Sequence, residues 1–299
     1  LWPGSHSVTA FYSPSSPEQF VASDNTGKDE PMIQVVHKAT PVFSITPSVS
    51  NPVASELVAF SVELTHPFRP EVIPTGMIQC LVDDVPLGNW VALDISGKAG
   101  CPDSIRLSCG IHEVSVAYVG DDYFIDVEES AVKAVPVAKA DTVTEFFSVD
   151  PLAVVVGQLT VIDVKVSVVP PAIETPSGTV KVSNGVDECE VTLDGSGEGS
   201  CDLASTSPGE KTLSAVFQGS DNHNTSSAIE FVGLTVSKAD SSVSISGYSP
   251  EFPVTGEPVT ISFFVVSVSP GWGHPSGSVT ISDGNGRSCQ AVIDKKGSG

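Results

Sequence analysis

Cysteines and carboxylates are the side chains whose spacing could support chemistry in this chain. Cys189 and Cys201 flank the turn Asp194-Gly195-Ser196-Gly197. Pairing 191 with 199 and 193 with 197 sets the two cysteines opposite each other across an antiparallel hairpin, within disulfide reach. Closing a loop of about 13 residues contributes about 3 kcal/mol, and such a bond persists in an oxidising exterior. Among Cys80, Cys101 and Cys109 three pairings are open, of which Cys80 with Cys101 is favoured. Zinc is disfavoured because no paired C-x-x-C or nearby Cys-His spacing occurs. The densest acids are Asp121, Asp122, Asp126, Glu128 and Glu129. Asp121, Asp122 and Asp126 are the candidates for Ca²⁺, which takes hard oxygen ligands, but their spacing matches no EF-hand and reads as a solvated acidic loop. No cofactor is otherwise expected.

The remaining reactive types do not converge. The histidines 6, 37, 66, 112, 223 and 274 are dispersed, and there is no G-x-S-x-G elbow, H-E-x-x-H helix, phosphate loop or nucleotide fingerprint. The expectation is a protein that is not an enzyme. Lys165 beside Asp163 raises the idea of an intramolecular isopeptide bond, but strand alternation points both to solvent. Asn224-Thr225-Ser226 is the only N-glycosylation sequon. Trp2, Trp90 and Trp272 are the only tryptophans; they sit at different places along the chain and read as core or interface anchors.

The elements that must carry these residues are strands. Val, Ser and Thr fill the segments between turns, while 23 prolines, 26 glycines and only two methionines speak against long helices. With 14 Lys and Arg against 36 Asp and Glu the formal charge is −22, so nucleic acid and anionic membrane surfaces are repelled. No apolar run is long enough to span a bilayer, so no membrane insertion is expected in this segment. Leu1-Trp2-Pro3-Gly4 lacks the features of a signal peptide, and the start of the gene product is expected elsewhere.

The strands repeat. Val36-His37-Lys38-Ala39, Val137-Ala138-Lys139-Ala140 and Val236-Ser237-Lys238-Ala239 superpose at a period of about 100 residues. Within each period a Pro-x-Gly turn precedes a strand at Pro74-Thr75-Gly76, Pro176-Ser177-Gly178 and Pro275-Ser276-Gly277. A later strand recurs as Gly4 to Tyr12, Gly110 to Tyr118 and Gly209 to Phe217. In this register Lys211 stands where the other copies have His6 and His112, which reads as a tolerant surface position. Cys289 corresponds to Cys189, and the position matching Cys201 would fall beyond Gly299.

The V-x-K-A linker, the P-[ST]-G-x-[VI] turn and the run from Cys189 to Ala228 together resemble the bacterial Ig-like repeats, of the group 3 type, found in large surface and adhesin proteins. The resemblance covers essentially the whole chain. It implies a sandwich of about seven strands used as a spacer, stalk or adhesive module. The expected fold class is therefore all-β, with tandem immunoglobulin-like β-sandwiches. The expected division is 1–43, the C-terminal half of a repeat plus linker; 44–141 and 142–241, complete repeats; and 242–299, an N-terminal half.

Alternation assigns Ile162, Val164, Val166 and Val168 to one core face, matched by Phe60, Val62 and Leu64, and by Ile261, Phe263 and Val265. The outer positions are Ala59, Ser61, Glu63 and Thr65 in the first copy and Val161, Asp163, Lys165 and Ser167 in the second, but include Phe264 and Val266 in the last. Either an adjacent loop covers that pair or it is an assembly patch. The functional expectation is a structural segment of an extracellular or cell-surface fibre or stalk. Its partners would be further copies, or a continuation of the same array head-to-tail. The alternative is an adhesin or carbohydrate-binding module that recognises a surface ligand through its loops.

Overall fold

The computed structural model describes residues 1–16, 18–25, 32–130, 132–228, 230–294 and 298, and every regular element among them is a β-strand. The chain divides into two compact units, Leu1–Lys139 and Ala140–Gly299.

The second unit contains a complete two-sheet sandwich. One sheet runs in the order Thr142–Asp150, Leu159–Val168, Glu198–Ala204. The facing sheet runs Ala153–Val155, Val232–Ser237, Gly209–Phe217, Thr179–Ser183, Glu188–Thr192. Ala153–Val155 lies parallel to its neighbour and the other pairings are antiparallel. Period-two burial builds the core: Ile162, Val164 and Val166 from one sheet meet Val180, Val182, Leu213, Phe217 and Leu234 from the other. Val168 is only half-buried. Each fully buried Val, Leu or Phe contributes roughly 1.5–3 kcal/mol, so this sandwich has its own source of stability.

The first unit contains the same sandwich, with Val42–Pro47, Phe60–Thr65 and Lys98–Gly100 facing Val91–Ala92, Met77–Val82, Gly110–Val119 and Lys133–Val137. Phe60, Val62, Leu64, Ile78, Cys80 and Tyr118 form its core. The strand equivalent to Glu198–Ala204 is broken here into Lys98–Gly100 and Ile105–Arg106. Pro102 lies in the gap, and without an N–H it cannot continue the ladder.

Two turns fix both sandwiches. Gly76 has φ +105°, and a Cβ on it would lie 2.5 Å from the Val119 carbonyl oxygen, so the Pro-x-Gly turn needs its glycine. At the corner between sheets, Asp94 Oδ1 accepts the N–H and O–H of Ser96 (2.7 Å each) and the N–H of Lys98 (3.0 Å). Asp194 does the same for Ser196 and Glu198. These bonds hold both aspartates below the usual carboxylate range, with the Ser96 and Ser196 hydroxyls the largest cause.

The flanking segments are sparser. In the first unit Gly4–Val8 pairs with Met32–Val36, and neither strand contains a buried residue. In the second unit Ser241–Ser249 pairs with Thr260–Ser267, and Ser278–Ser282 with Ser288–Val292. Phe263 and Val265 are buried there and Ile261 is half-buried. The divisions drawn from sequence at 43/44 and 241/242 fall inside the strands Val42–Pro47 and Ser241–Ser249, because pairing begins directly after the V-x-K-A linker.

Candidate functional site

The structure contains two disulfides, and both tie one sheet to the other. Cys80 bonds Cys101 with Cα atoms 5.8 Å apart, and Cys189 bonds Cys201 at 6.1 Å. The hairpin geometry expected for Cys189 and Cys201 needs correction. Glu188–Thr192 ladders onto Thr179–Ser183, while Glu198–Ala204 ladders onto Leu159–Val168 in the facing sheet. The turn between them is thus a corner, and the bond crosses the core. In the repeat register Cys80 corresponds to Val182, whose cross-strand partner is Cys189. The first copy therefore anchors its bond one strand further in. Cys289 is an exposed thiol.

The acidic loop organises the joint. Asp121 Oδ2 accepts the N–H and O–H of Thr75 (2.8 Å each), and Oδ1 accepts the N–H groups of Tyr123 (2.7 Å) and Phe124 (2.9 Å). Partial burial pushes this carboxyl up, but the hydrogen bonds outweigh burial and hold it below its ordinary value. Asp126 accepts the Gly120 N–H at 2.7 Å, and Asp122 is exposed. Asp121 and Asp126 thus direct oxygens at protein donors. Among the described residues no group of three or more His, Cys, Asp or Glu could hold a metal ion.

This loop also grips the linker. The Ala39 N–H donates to the Tyr123 carbonyl (2.8 Å) and the Ile125 N–H to that of Ala39 (3.0 Å). In the second unit the Ala140 N–H donates to Asn222 O and the Asn224 N–H to Ala140 O, both at 2.8 Å. Asn224, the sequon residue, donates its side-chain N–H to Asp141 (2.8 Å). His223, which corresponds to Phe124, is buried and held by Ser220 (2.9 Å) and the Glu174 carbonyl (3.1 Å).

One constellation superficially resembles a nucleophile with its base. His112 Nδ1 lies 2.7 Å from Asp83, and its Nε2 lies 3.5 Å from the Ser108 hydroxyl. The closer partner of Nε2 is the Ser108 carbonyl at 3.0 Å, so the ring ties down a turn. His6 reaches the Trp2 carbonyl and Lys211 the Ser207 hydroxyl in the same way, four residues back. The position read as tolerant surface is a recurring turn latch.

The tryptophans are not core residues. Trp2 is 65% and Trp272 75% exposed, and Trp90 is also exposed. Trp2 stacks beside Tyr123 with ring centroids 5.2 Å apart.

Of the two sandwiches of one topology, the second matches a known sequence profile. Residues 147–237 fit the bacterial Ig-like domain, group 3. The match lies within the second complete sandwich. No curated protein matches the chain. Among solved structures it is similar to invasin, a bacterial integrin-binding protein, at 14% identity and TM-score 0.44, covering 81% of this chain and 50% of that one. A tetra-tandem repeat from the extending region of a large adhesion protein is similar at 15% identity and TM-score 0.41, with 100% and 72% covered. The Yersinia pseudotuberculosis adhesin InvE follows at 14% and 0.38, with 66% and 60% covered. The chain thus spans half the length of the invasin structure.

On the outer face of the Ig-like repeats one cross-strand position changes character. Glu63 pairs with Lys98 (3.5 Å), Lys165 pairs with Glu198 (2.7 Å), and in the last copy Phe264 faces Ser298. An ion pair, its charge-reversed counterpart and an aromatic residue occupy equivalent sites. Phe264 is 46% and Val266 55% exposed. The sequence marks the linker through its V-x-K-A recurrence, but what the linker alanine bonds to is visible only in the fold.

Proposed function

We propose that the chain is a segment of an extracellular stalk or fibre in which Ig-like sandwiches, stacked in series, hold a more distal element away from a cell surface. The observation that carries this reading is the linker. Ala39 and Ala140 are each bridged on both sides by the loop that follows the strand ending at Tyr118 or Phe217, so each linker alanine is held by backbone hydrogen bonds to the repeat that follows it. Cross-sheet disulfides in both complete repeats support an oxidising, extracellular location. The repeats would divide near 1–43, 44–141, 142–241 and 242–299, and their partners would be the continuation of the same array.

Phe264 and Val266 are assigned to contact with a neighbouring copy, because they place apolar surface where the other repeats have an ion pair (Glu63, Lys165) and a hydroxyl (Thr65, Ser167). Electron microscopy of the purified chain should show extended particles with an axial spacing of a few nanometres per repeat; compact globular particles would contradict the stalk. Phe264→Asp should lower the sedimentation coefficient at high concentration, and an unchanged value would remove the lateral contact.

A further inference from the structure

The first complete repeat carries an apolar sheet face that the other copies do not share. Along Met77–Val82, Gly110–Val119 and Lys133–Val137 the residues that alternate with the core lie on the far side of the sheet. The ladder sets Met77 opposite Val119, Gln79 opposite Ala117, Leu81 opposite Ser115 and Ile111 opposite Pro136. Short flanking strands add Pro86 beside Leu81 and Ala92 beside Met77. Among the described residues Glu113 is the one charged side chain at these outer positions. Met77 is 42%, Val119 48% and Ile111 74% exposed. The fold does not impose this. In the repeat register Met77, Leu81, Ile111 and Val119 correspond to Thr179, Ser183, Glu210 and Gln218 in the second repeat. The last copy has Ser278 and Ser282 at the first two of these positions, and the leading copy has Ser5 at the third. Where Ile111 faces Pro136, the Thr235 hydroxyl donates to Glu210 (3.0 Å), and where Gln79 stands, Lys181 is paired with Glu188 (2.7 Å). Both faces belong to complete sandwiches, so neither is exposed for want of the rest of its domain.

A contiguous apolar face on an otherwise charged domain marks a contact. Its charge pattern points to the occupant. Asp83, Asp84 and Glu113 lie at one end of the face, and Asp121, Asp122 and Asp126 follow Val119 at the other. With a net charge of −22 on each chain, two copies repel each other over most of their surface. The uncharged centre is where two copies can touch without setting carboxylate against carboxylate, and it is complementary to itself, as a two-fold contact requires. The dimensions suit such a pairing. Four strands about 4.8 Å apart make the face about 20 Å wide, and strands of 6 and 10 residues make it about 20–34 Å long. Pairing would bury about 400–650 Å² on each copy, about 800–1,300 Å² in all, which is the low end for a specific interface. A contact of that size is weak between two free chains and gains strength where many chains stand side by side.

We propose that this sheet face of the first repeat pairs with the same face of a second copy of the chain, with Met77, Leu81, Ile111 and Val119 as its contact residues. The surface is separate from the Phe264 and Val266 patch, and the inference is independent of the stalk reading, which is tested by particle shape. Sedimentation equilibrium tests it on the full chain carrying Phe264→Asp, so that the other patch does not contribute, over about 5–500 μM and at about 50 mM and 500 mM salt. The chain should dimerise reversibly, and at least about threefold more tightly at the higher salt, because screening removes the repulsion between the acidic ends. Met77→Thr, Leu81→Ser and Ile111→Glu together give this face the residues of the second repeat and should weaken the dimer at least about tenfold with unchanged melting. Should the triple variant melt lower, Ile111→Glu alone, at a solvent-facing position, should still weaken the dimer at least about threefold. Phe147→Ser, which removes an exposed ring from the second repeat, should leave the dimer as it was. A monomer throughout the range, association that weakens with salt, or variants of the face that dimerise as tightly as their parent would each overturn the proposal.

Discussion

Replacing Cys189 and Cys201 together by alanine removes the bond between the two sheets of the second Ig-like repeat. The cysteines are 12 residues apart, and closing a loop of that size withdraws about 3 kcal/mol of chain entropy from the unfolded state. The pair Cys80 and Cys101 is 21 residues apart, for which the same relation gives about 3.4 kcal/mol. For a domain of about 100 residues a loss near 3 kcal/mol lowers the melting temperature by roughly 12–24 °C. Because each bond lies within one core, each double substitution should move only the transition of its own repeat. Scanning calorimetry of the full chain and the two variants reads this directly. The reasoning is refuted if a variant shifts both transitions equally, or shifts its own by less than about 2 °C.

Asp121→Ala strips the acceptor from the N–H groups of Thr75, Tyr123 and Phe124, and should cost the first repeat about 1.5–3 kcal/mol in denaturant titration, with the same midpoint in calcium and in chelator. Gly76→Ala combines φ +105° with a contact at 2.5 Å and should destabilise the first repeat by about 1–3 kcal/mol, whereas Gly195→Ala, which has open space around it, should be nearly silent in the same assay. Asp83, Asp94, Asp121, Asp187 and Asp194 all have native pKa values below the ordinary 3.8. The unfolded chain therefore takes up protons first as pH falls; the stability these groups contribute is complete well above pH 4 and is lost as pH drops through their native values. Melting curves at pH 7 and pH 5 should nearly coincide and then fall steeply below about pH 4, and a flat profile down to pH 3 would show that these carboxylates do not matter.

Strand identity and facing were legible in the sequence because alternation has period two: Ile162, Val164 and Val166 could only be buried together. Sheet membership was not legible. Cys189 and Cys201 flank a short turn, as hairpin residues do, and only the competing ladders to Thr179–Ser183 and Leu159–Val168 reveal a corner. The acidic loop appeared as charge alone, since sequence does not record that Asp121 aims its oxygens at Thr75, Tyr123 and Phe124. The scattered positions of the three tryptophans point to core or interface anchors, but position along the chain does not record exposure. Trp2 and Trp272 are exposed, with backbone carbonyl or N–H groups held by His6 and Val156.

On this account the Ig-like repeats are mechanically separate, and each of the two complete ones is locked by its own disulfide. Pulling the full chain from its termini in a single-molecule force experiment tests it most directly. Two large unfolding steps should appear, and reduction should lengthen them by about 40 Å and about 70 Å, the reach of the 12 and 21 residues that the disulfides withhold. One cooperative step for the whole chain, or steps whose lengths do not respond to reduction, would contradict it.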